Sequence, residues 1–549
     1  MQTTRQVPVI IIGGGISGLS AALFLLKQDL IPLVIERHKG TSIHPRARGF
    51  DVRTMELYRE LQLSDAIREA GKALAPAWGI RTGSSLATYL ENKKPKERVK
   101  SPIQLKGLEY LMEQTPEAGA RCTQDLSEPV LLQGARERGA EILFNTEMLS
   151  FSQDEQGVTA VIRNRETGAE QTIRAVYMIA ADGAKSGIRD TLQAQTTGKG
   201  ALGNLLNIYF DADLAVLVRG REFSLLRIDE PDIKGLLTSI NNSDRWVFHL
   251  HYDPAKGERP ENFTEEVLIT VLKKVIGFPD VKIRIISILP WQPTVRVVTE
   301  MKHRRVFLAG DAAHTMTPYG GKGANSGVQD VHNLAWKLAF VIHGKASPAL
   351  LETYSKERQP IGLHYSIQSG NMADANGLIK KVMLKFLWAF ASVMAVSFLR
   401  LQKLFPDFAM KQLGELLGLP EYHYYSAAIL QEEQADGYVK SGPLKAQPGT
   451  RFPHLWIDRD DRQISTLDLL GKDFVLFTGA DNQLWKKAAA VTGIPIYSLP
   501  GKEAALEIEA TGAVLVRPDG FVAWRCEEQP PAPVTALKEV ITKLLNAAG

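Results

Sequence analysis

The segment Val7–Gly18, VPVIIIGGGISG, decides the fold of this chain. Its first half is a short apolar run rich in β-branched residues, which predicts a buried strand. Its second half satisfies the pattern G-x-G-x-x-G through Gly13, Gly15 and Gly18, and an apolar helical pattern follows. A strand, a glycine-rich turn and a helix in this order are typical of a unit that binds a dinucleotide, because the glycines let backbone approach a pyrophosphate.

An acid completes this unit. A second apolar run, Pro32–Ile35, predicts the next strand, and Glu36 follows it directly. In dinucleotide-binding βαβ units an acid at this place binds the ribose hydroxyls. Although Arg37 comes next, the acid favours a ribose without phosphate, as in FAD or NAD.

Two further predicted strands also end in an acid beside a glycine. Val176–Ala181 is followed by Asp182 and Gly183. The segment Arg305–Leu338, RVFLAGDAAHTMTPYGGKGANSGVQDVHNLAWKL, begins with another strand pattern, and Gly310 and Asp311 follow it. Ligands of open α/β sheets bind at the carboxyl ends of strands, so these acids are candidate ligand contacts.

The loop after Asp311 has the sequence Pro318-x-Gly-Gly-x-Gly, with glycines at 320, 321 and 323. Backbone without side chains can lie directly against a bound ligand. A helical pattern begins at Ala324, and the start of a helix attracts electron-rich oxygens. The segment therefore predicts a ligand at the junction of strand, acid, loop and helix.

Composition limits the class of protein. The 549 residues predict two or three domains, and the apolar share of 44% allows sizeable cores. A net charge of +4 without a basic cluster argues against a nucleic-acid partner. Cys122 and Cys526 form no C-x-x-C, which disfavours a zinc site or a dithiol redox motif, and no metal site is expected.

The N-terminus leads straight into the first strand rather than into a secretion signal, so a cytoplasmic location is expected. The uncharged stretch Phe386–Leu399 is too short to span a membrane, and a buried or interface-facing helix is favoured for it. A membrane-surface helix is the alternative.

The middle of the chain, from about residue 200 to 290, is mostly β in pattern and predicts an inserted antiparallel sheet. Each aromatic residue of this region is expected in the core, although the set would also suit an apolar substrate pocket. The aromatic residues are Phe210, Phe223, Trp246, Phe248, Tyr252 and Trp291. The last hundred residues carry a separate α/β pattern.

The three motifs together resemble those of the single-component, FAD-dependent aromatic hydroxylases of group A, most closely the branch of phenol hydroxylase and the polyketide aromatic-ring hydroxylases. The resemblance spans nearly the whole chain. Its C-terminal part, with PGTRFPH and GAVLVRPDGFVAWR, is similar to the thioredoxin-like domain of this branch, but it lacks the redox C-x-x-C and is expected to be a structural or dimer-contact module.

The resemblance implies roles for individual residues. Gly13, Gly15, Gly18 and Glu36 would hold the ADP half of FAD, Arg46 and Gln124 would lie near its phosphates and ribose, and Asp182 and Gly183 belong to a motif tied to FAD and NAD(P)H. Gly310 and Asp311 would meet the ribityl chain, and Pro318, Gly320, Gly321, Gly323 and Ala324 would lie along the flavin ring. Lys322 departs from the family, many members of which carry glutamine.

The implied fold class is α/β: a Rossmann-like FAD-binding domain with an inserted antiparallel-sheet substrate domain and a C-terminal thioredoxin-like α/β domain. Residues 1–75, 106–190 and 291–375 would form the FAD-binding domain, and residues 76–105 and 191–290 the substrate domain. A helical connection would span 376–445 and the thioredoxin-like domain 446–549.

The implied function is hydroxylation of a phenolic or polycyclic aromatic, polyketide-like substrate with NAD(P)H and O₂, through a flavin C4a-hydroperoxide. The cofactor carries the chemistry, and the protein excludes water and orients the ring. Baeyer–Villiger or another oxygenation by the same flavin species is the alternative. Membrane contact is not expected, and a homodimer is possible.

Two questions stay open at this level. Arg46 and Arg48 stand in the loop HPRARGF, and either could meet a phosphate or ribose. A base that deprotonates the phenol would help, and His249, His251, Tyr252 and Arg227 are conceivable. A structural role is favoured for each of these four residues, so no base is assigned.

Overall fold

The computed structural model describes residues 4–74, 79–93, 113–381, 422–430 and 445–546. The strands are β1 (Arg5–Ile12), β2 (Leu33–Ile35), β3 (Ile80–Gly83), β4 (Glu141–Leu143), β5 (Thr146–Gln153), β6 (Val158–Asn164), β7 (Glu170–Ala180), β8 (Thr196–Ala201), β9 (Leu205–Asp211), β10 (Leu225–Asp229), β11 (Lys234–Ser239), β12 (Arg245–His251), β13 (Arg284–Trp291), β14 (Thr294–Val298), β15 (Lys302–His303), β16 (Val306–Leu308), β17 (His314–Thr315), β18 (Trp456–Arg459), β19 (Arg462–Ser465), β20 (Val475–Thr478), β21 (Ile496–Ser498), β22 (Ala513–Val516) and β23 (Val522–Cys526). The α-helices are α1 (Ile16–Lys27), α2 (Val52–Glu60), α3 (Ser64–Ala70), α4 (Leu86–Glu91), α5 (Gln124–Glu137), α6 (Gly187–Thr191), α7 (Ala215–Val218), α8 (Glu265–Ile276), α9 (Lys322–Ile342), α10 (Thr353–Asn371), α11 (Gln483–Thr492), α12 (Glu503–Leu506) and α13 (Pro533–Asn546).

The first sheet has the strand order β15-β16-β7-β1-β2-β4, and the five strands from β16 to β4 run parallel. Strand β1 lies in the middle because Val9–Ile12 is apolar on both faces and is fully buried. Parallel strands end at one edge of the sheet, so the segments after β1, β2, β7 and β16 meet there. Helices α1 and α9 pack against each other beside this edge.

A second sheet, of order β13-β9-β12-β11-β10-β3, is mixed. Its strands from β13 to β10 pair antiparallel, as the sequence predicts, but β3 joins parallel to β10. Strand β3 comes from residues 80–83, far earlier in the chain, and alternation within the other strands carries no information about that pairing.

The aromatic residues of this sheet correct the interpretation of a pocket. Trp246 pairs with Phe210 across β12 and β9, so both side chains lie on the same face. That face packs on α8 in a buried core that also contains Phe223, Phe248 and Tyr252. Of the six aromatic residues, only Trp291 packs into the cluster on the opposite face. The two-residue period of a strand makes this separation.

The C-terminal sheet has the order β21-β20-β22-β23, in which β20 pairs parallel with β21 and antiparallel with β22. Helices α11 and α13 pack together, and Trp485 and Leu537 are buried in the core they share with this sheet. This core also takes in Trp336 of α9, so the C-terminal sheet and α9 bury apolar surface against each other.

Helix α10 contradicts the expected helix end at Glu357, Arg358 and Pro360, because it continues through Pro360 to Asn371. A proline inside a helix costs about 3 kcal/mol or more. Buried contacts on both sides of the proline's turn hold the helix: Glu357 pairs with Arg517, and Arg358 pairs with Asp330. Tertiary packing therefore overrides the local signal.

A buried ion network joins α9, α10 and the C-terminal sheet. Glu357 accepts hydrogen bonds from both Arg517 amino groups, at 2.7 and 2.9 Å, and from Lys337 Nζ at 2.8 Å. Arg517 also pairs with Asp519, and the side chains of Glu357, Arg517 and Lys337 are fully buried. Burial opposes ionisation of Glu357, but Arg517 and Lys337 outweigh it and hold the pKa of Glu357 below its ordinary range.

Among the described residues, no helix is long and apolar enough to cross a membrane. The stretch Phe386–Leu399 lies outside them.

The substitution Arg517→Met should destabilise the protein by about 3–5 kcal/mol, because it leaves Glu357 and Asp519 buried without their main partner. Urea unfolding measures the change. The control is Lys345→Met, which breaks the Lys345–Asp473 pair whose side chains are nearly half exposed, and which should cost at most about 1 kcal/mol. Equal effects of the two substitutions would contradict the assigned importance of the buried network.

Candidate active site

The edge of the first sheet brings together the ends of four strands. The Gly13 amide donates to Ile35 O at 2.8 Å, and the Ala181 amide donates to Ile12 O at 2.8 Å. The Ala309 amide donates to Ala180 O at 3.0 Å. The residues that the sequence places after β1, β2, β7 and β16 therefore form one continuous site.

The glycine turn after β1 leaves no room for side chains. A Cβ atom on Gly13 would lie 2.2 Å from Ala181 O, and one on Gly18 would lie 1.9 Å from Gly13 O. Gly15 precedes the first residue of α1, and no side chain caps that helix start. The first amides of α1 therefore face the site with their positive end, as an anion-binding helix start requires.

Glu36 lies beside this turn and is buried. Its carboxylate accepts from the Gly14 amide at 2.7 Å and from the His38 amide at 2.8 Å. These bonds orient the acid at the end of β2, next to the glycines, where the sequence predicts it.

Gln124 is the first residue of α5, and its amide donates to Ala47 O at 2.9 Å. Its side-chain Nε2 donates to Glu128 at 2.6 Å, and Glu128 also accepts from the Ser42 amide at 2.7 Å. Sequence reasoning missed Glu128. The signal was present, because Glu128 stands four residues after Gln124 and so on the same helix face. Burial raises the pKa of Glu128.

Asp182 follows β7, and Gly183 beside it has a left-handed backbone with φ of 84°. One oxygen of Asp182 accepts weakly from the Ile188 amide at 3.3 Å, and the other is buried with no hydrogen-bond partner in the described part of the chain. Burial raises the pKa of Asp182. This carboxylate is therefore short of donors, which a ligand rich in hydroxyl groups could supply.

Gly310 and Asp311 stand in a single 3₁₀ turn after β16. The Asp311 side chain reaches open solvent, yet protein surrounds it densely, so burial raises its pKa while the charges of His314 and Arg46 lower it. A carboxylate that is accessible inside a protein-walled cleft is placed for a ligand. Asp182 and Asp311 thus share one property, a carboxylate with too few donors.

Asp330 of α9 supports this turn and was not predicted. Its Oδ2 lies 3.1 Å from the Gly310 amide and 2.7 Å from His314 Nε2, and its Oδ1 accepts from Arg358 Nε at 2.8 Å. Asp330 and Arg358 are fully buried. No sequence motif carries this signal, because the three partners come from segments that meet only in the folded protein.

The loop before α9 exposes Pro318, Gly320 and Gly321 and buries Tyr319 between them. Gly320 and Gly321 have φ of 91° and 66°, and Gly321 is the uncapped residue before α9. The backbone of this loop therefore faces the cleft without side chains, and the amides of Gly323 and Ala324 lie in the first turn of the helix.

Two cations lie near this cleft. Arg46 is exposed, and its charge acts on Asp311 and His44. Lys322, whose side chain the sequence could not place, lies 3.5 Å from Asp51 Oδ2 and 5.3 Å from the Tyr365 ring centre. Asp51 and the aromatic ring hold this lysine.

The second sheet covers the cleft with the face opposite to its aromatic core. Leu205, Leu236 and Trp291 of this face pack with Tyr319 of the loop. His249 lies on the same face and contacts Asn207 Oδ1 at 2.6 Å and Thr238 Oγ1 at 3.1 Å. The wall is thus apolar with a few fixed polar groups, as is typical of small-molecule sites.

The four conceivable bases have other roles or properties. Burial, followed by the charges of His44 and Arg48, lowers the pKa of His249 to about 3, and burial also lowers the pKa of His251. Tyr252 packs in the core on the far face. Arg227 pairs with Asp374 at 2.8 Å and donates to Ile379 O, so it anchors the turn that follows α10.

These features fit FAD. The uncapped start of α1 suits a pyrophosphate, Glu36 suits ribose hydroxyls, and the donor-poor acids Asp182 and Asp311 suit a polyhydroxyl chain. Fold and site together define an α/β flavoprotein with a covered cleft beside the flavin loop.

Comparison with known proteins agrees. The family model "FAD binding domain" matches residues 6–366, and the model "Aromatic-ring hydroxylase, C-terminal" matches residues 445–548. The tetracenomycin A2 monooxygenase-dioxygenase of Streptomyces glaucescens is 35% identical over 99% of this chain and 97% of its own length. The 4-methyl-5-nitrocatechol 5-monooxygenase of a Burkholderia species is 34% identical over 98% of both chains.

Among solved structures, the ternary complex of aklavinone-11 hydroxylase with FAD and aklavinone superposes with a TM-score of 0.80 at 30% identity, over 99% of both chains. The chain therefore belongs to the FAD-binding aromatic-ring hydroxylase family, in its polyketide hydroxylase branch. It is an FAD-dependent monooxygenase.

The substitution Gly18→Ala should abolish FAD retention, because its Cβ would lie 1.9 Å from Gly13 O and would push apart the turn and α1. The absorbance ratio of flavin to protein after purification measures retention. Gly471→Ala is the control, because a Cβ there meets nothing within 4 Å. A Gly18→Ala protein that keeps full FAD content would contradict the placement of the pyrophosphate at this turn.

Proposed function

We propose that this enzyme hydroxylates a phenolic or polycyclic aromatic, polyketide-like substrate with NAD(P)H and O₂. The observation that carries the proposal is the cleft itself, in which a flavin loop with bare backbone faces an apolar sheet wall containing Trp291 and Tyr319. A flat ring between these surfaces would lie beside the flavin. The names of the relatives, which act on polycyclic aromatics and a nitrocatechol, support the substrate class.

Within this proposal, Gly13, Gly15, Gly18 and Glu36 bind the ADP half of FAD. Arg46 and Gln124 lie near its phosphates and ribose, Asp182 and Gly183 line its middle, and Gly310 and Asp311 bind the ribityl chain. The backbone of Pro318, Gly320, Gly321, Gly323 and Ala324 lies along the ring. Bound FAD, reduced by NAD(P)H, supplies the means to activate O₂, and the protein orients the substrate and keeps water out.

Baeyer–Villiger or another oxygenation by the same cofactor remains the second candidate. The same cleft and the same cofactor would serve both reactions. The mass of the product and the position of its carbonyl groups distinguish them.

We also propose the domain division 1–75, 106–190 and 291–375 for FAD, 76–105 and 191–290 for substrate, 376–445 as connection and 446–549 as a thioredoxin-like domain. The pairing of β3 with β10 supports the assignment of residues near 80 to the substrate domain. The β20-α11-β21 unit followed by β22, β23 and α13 supports a thioredoxin-like fold. This domain carries no C-x-x-C, which favours a structural role or a homodimer contact.

A screen of NAD(P)H oxidation tests the function. Phenols, naphthoquinones and tetracyclic polyketides are offered to the FAD-loaded enzyme, and H₂O₂ is measured alongside. A true substrate should accelerate NAD(P)H consumption and give an oxygenated product without release of peroxide. Oxidation that always ends in H₂O₂, with no product from any compound, would contradict the proposed substrate class.

The substitution Asp311→Ala should weaken FAD binding at least tenfold, because the ribityl hydroxyls lose a charged acceptor. Fluorescence titration of the deflavinated protein with FAD measures the Kd. The control is Asp473→Ala, which removes an exposed carboxylate of the C-terminal domain. Unchanged FAD affinity and activity in Asp311→Ala would show that this carboxylate has no such role.

A further inference from the structure

We infer that Arg48 forms a binding site for an oxyanion, in the cleft between the flavin loop and the second sheet, that receives the ionised hydroxyl group of the aromatic substrate. The inference rests on the proposed function, since it supposes that the ring enters this cleft. It adds the chemical feature that the substrate must carry, an acidic phenol or hydroxyquinone.

The backbone of Arg48 is fixed from two sides. Phe50 and Ala120 exchange hydrogen bonds of 2.8 and 2.9 Å, and the Asp51 amide donates to Asn325 Oδ1 at 3.0 Å in the first turn of α9. The loop of Arg48 thus lies against the flavin-loop helix, and its side chain crosses the cleft to the second sheet. There it donates to Ser224 Oγ at 2.9 Å and Ser224 O at 3.2 Å.

The partners of Arg48 are neutral. Within the described residues, its hydrogen bonds go to two carbonyls and one hydroxyl, and no carboxylate lies within 4.0 Å. Arg121 donates to the same carbonyl, Ser239 O, and each of the two contacts measures 3.4 Å. Burial and the neighbouring charge of Arg121 lower the pKa of Arg48 to about 10. A cation in this setting gains from an anionic ligand.

A neutral imidazole adds a second unsatisfied group. His44 is 4% exposed, and neither ring nitrogen has a hydrogen-bond partner in the described part of the chain. Burial, followed by the charge of Arg46, lowers the pKa of His44 to about 4, so the ring is neutral near pH 7. His44 acts on the pKa of His249 together with Arg48, which places all three around the same part of the sheet face.

This composition determines how a phenol would ionise. Neither His44 nor His249 has a pKa near 7, which an efficient general base needs. The guanidinium of Arg48 instead stabilises the phenolate and so lowers the pKa of the bound phenol. The O–H bond breaks, the proton leaves to solvent, and the electron pair stays on the oxygen, which makes the ring a better nucleophile. Arg48 is therefore a substrate-binding residue that replaces a base.

The test uses the FAD-loaded enzyme, with 4-nitrophenol and its methyl ether, 4-nitroanisole, as probes. Calorimetry gives the Kd of each, and difference absorbance shows whether bound nitrophenol is ionised. The variants are Arg48→Met, which removes the charge, and Arg48→Lys, which keeps it. The matched control is Arg221→Met, because Arg221 also binds two backbone carbonyls, Leu90 O at 2.9 Å and Leu217 O at 2.7 Å, away from the cleft.

The wild-type enzyme should bind 4-nitrophenol as its phenolate below the pKa of the free phenol, and more tightly than 4-nitroanisole. Arg48→Met should weaken nitrophenol at least tenfold and leave nitroanisole unchanged, Arg48→Lys should restore part of the difference, and Arg221→Met should match the wild type. These results would support the oxyanion site even if no polyketide is turned over, in which case only the proposed substrate class fails.

Three outcomes would overturn the inference. The wild-type enzyme might bind the two probes equally, which would mean that the cleft does not recognise an oxyanion. Arg48→Met might weaken both probes alike, which would leave Arg48 a structural role only. Loss of FAD in Arg48→Met, with the nitrophenol preference retained after reconstitution, would assign the cation to the cofactor.

Discussion

Glu357 and Arg358 are neighbours on α10, and each is fully buried against a different part of the molecule. Glu357 binds Arg517 of the C-terminal domain, and Arg358 binds Asp330 of α9. Asp330 in turn holds the Gly310 amide, next to Asp311. Buried charges must be paired, because an unpaired one is very costly. This requirement therefore connects the C-terminal domain to the residue proposed to bind the ribityl chain.

The same principle, applied in reverse, explains the cleft. The structural network has matched charges, whereas the cleft contains groups that are left unmatched: Asp182 and Asp311 are short of donors, and Arg48 is bound only by neutral oxygens. Such groups cost stability and are typical of binding sites. The acids suit the hydroxyl groups of FAD, and the arginine suits an anion. The division between matched and unmatched charges separates the parts of this protein that support the fold from those that bind ligands.

Much of the fold and of the proposed cofactor site could be predicted from local patterns. The glycine turn before α1, the acid after β2 and the acids after β7 and β16 are short motifs whose chemistry depends on neighbours along the chain, and the structure places all of them at one sheet edge. Helix α10 could not be predicted in this way. Pro360 indicates a helix end, and only contacts with residues more than a hundred positions away keep the helix intact.

The sequence by itself determined the class of fold, the cofactor and the residues that line its predicted binding edge, because each of these follows from short segments with strict backbone requirements, such as the glycines at 13 and 18. The tertiary structure decided which face of the second sheet covers the cleft, where Lys322 and Arg48 point, and that Glu128, Asp330 and His44 belong to the site. A strand presents both faces equally in its sequence. Only packing against a second element decides which face is buried in a core and which meets a ligand.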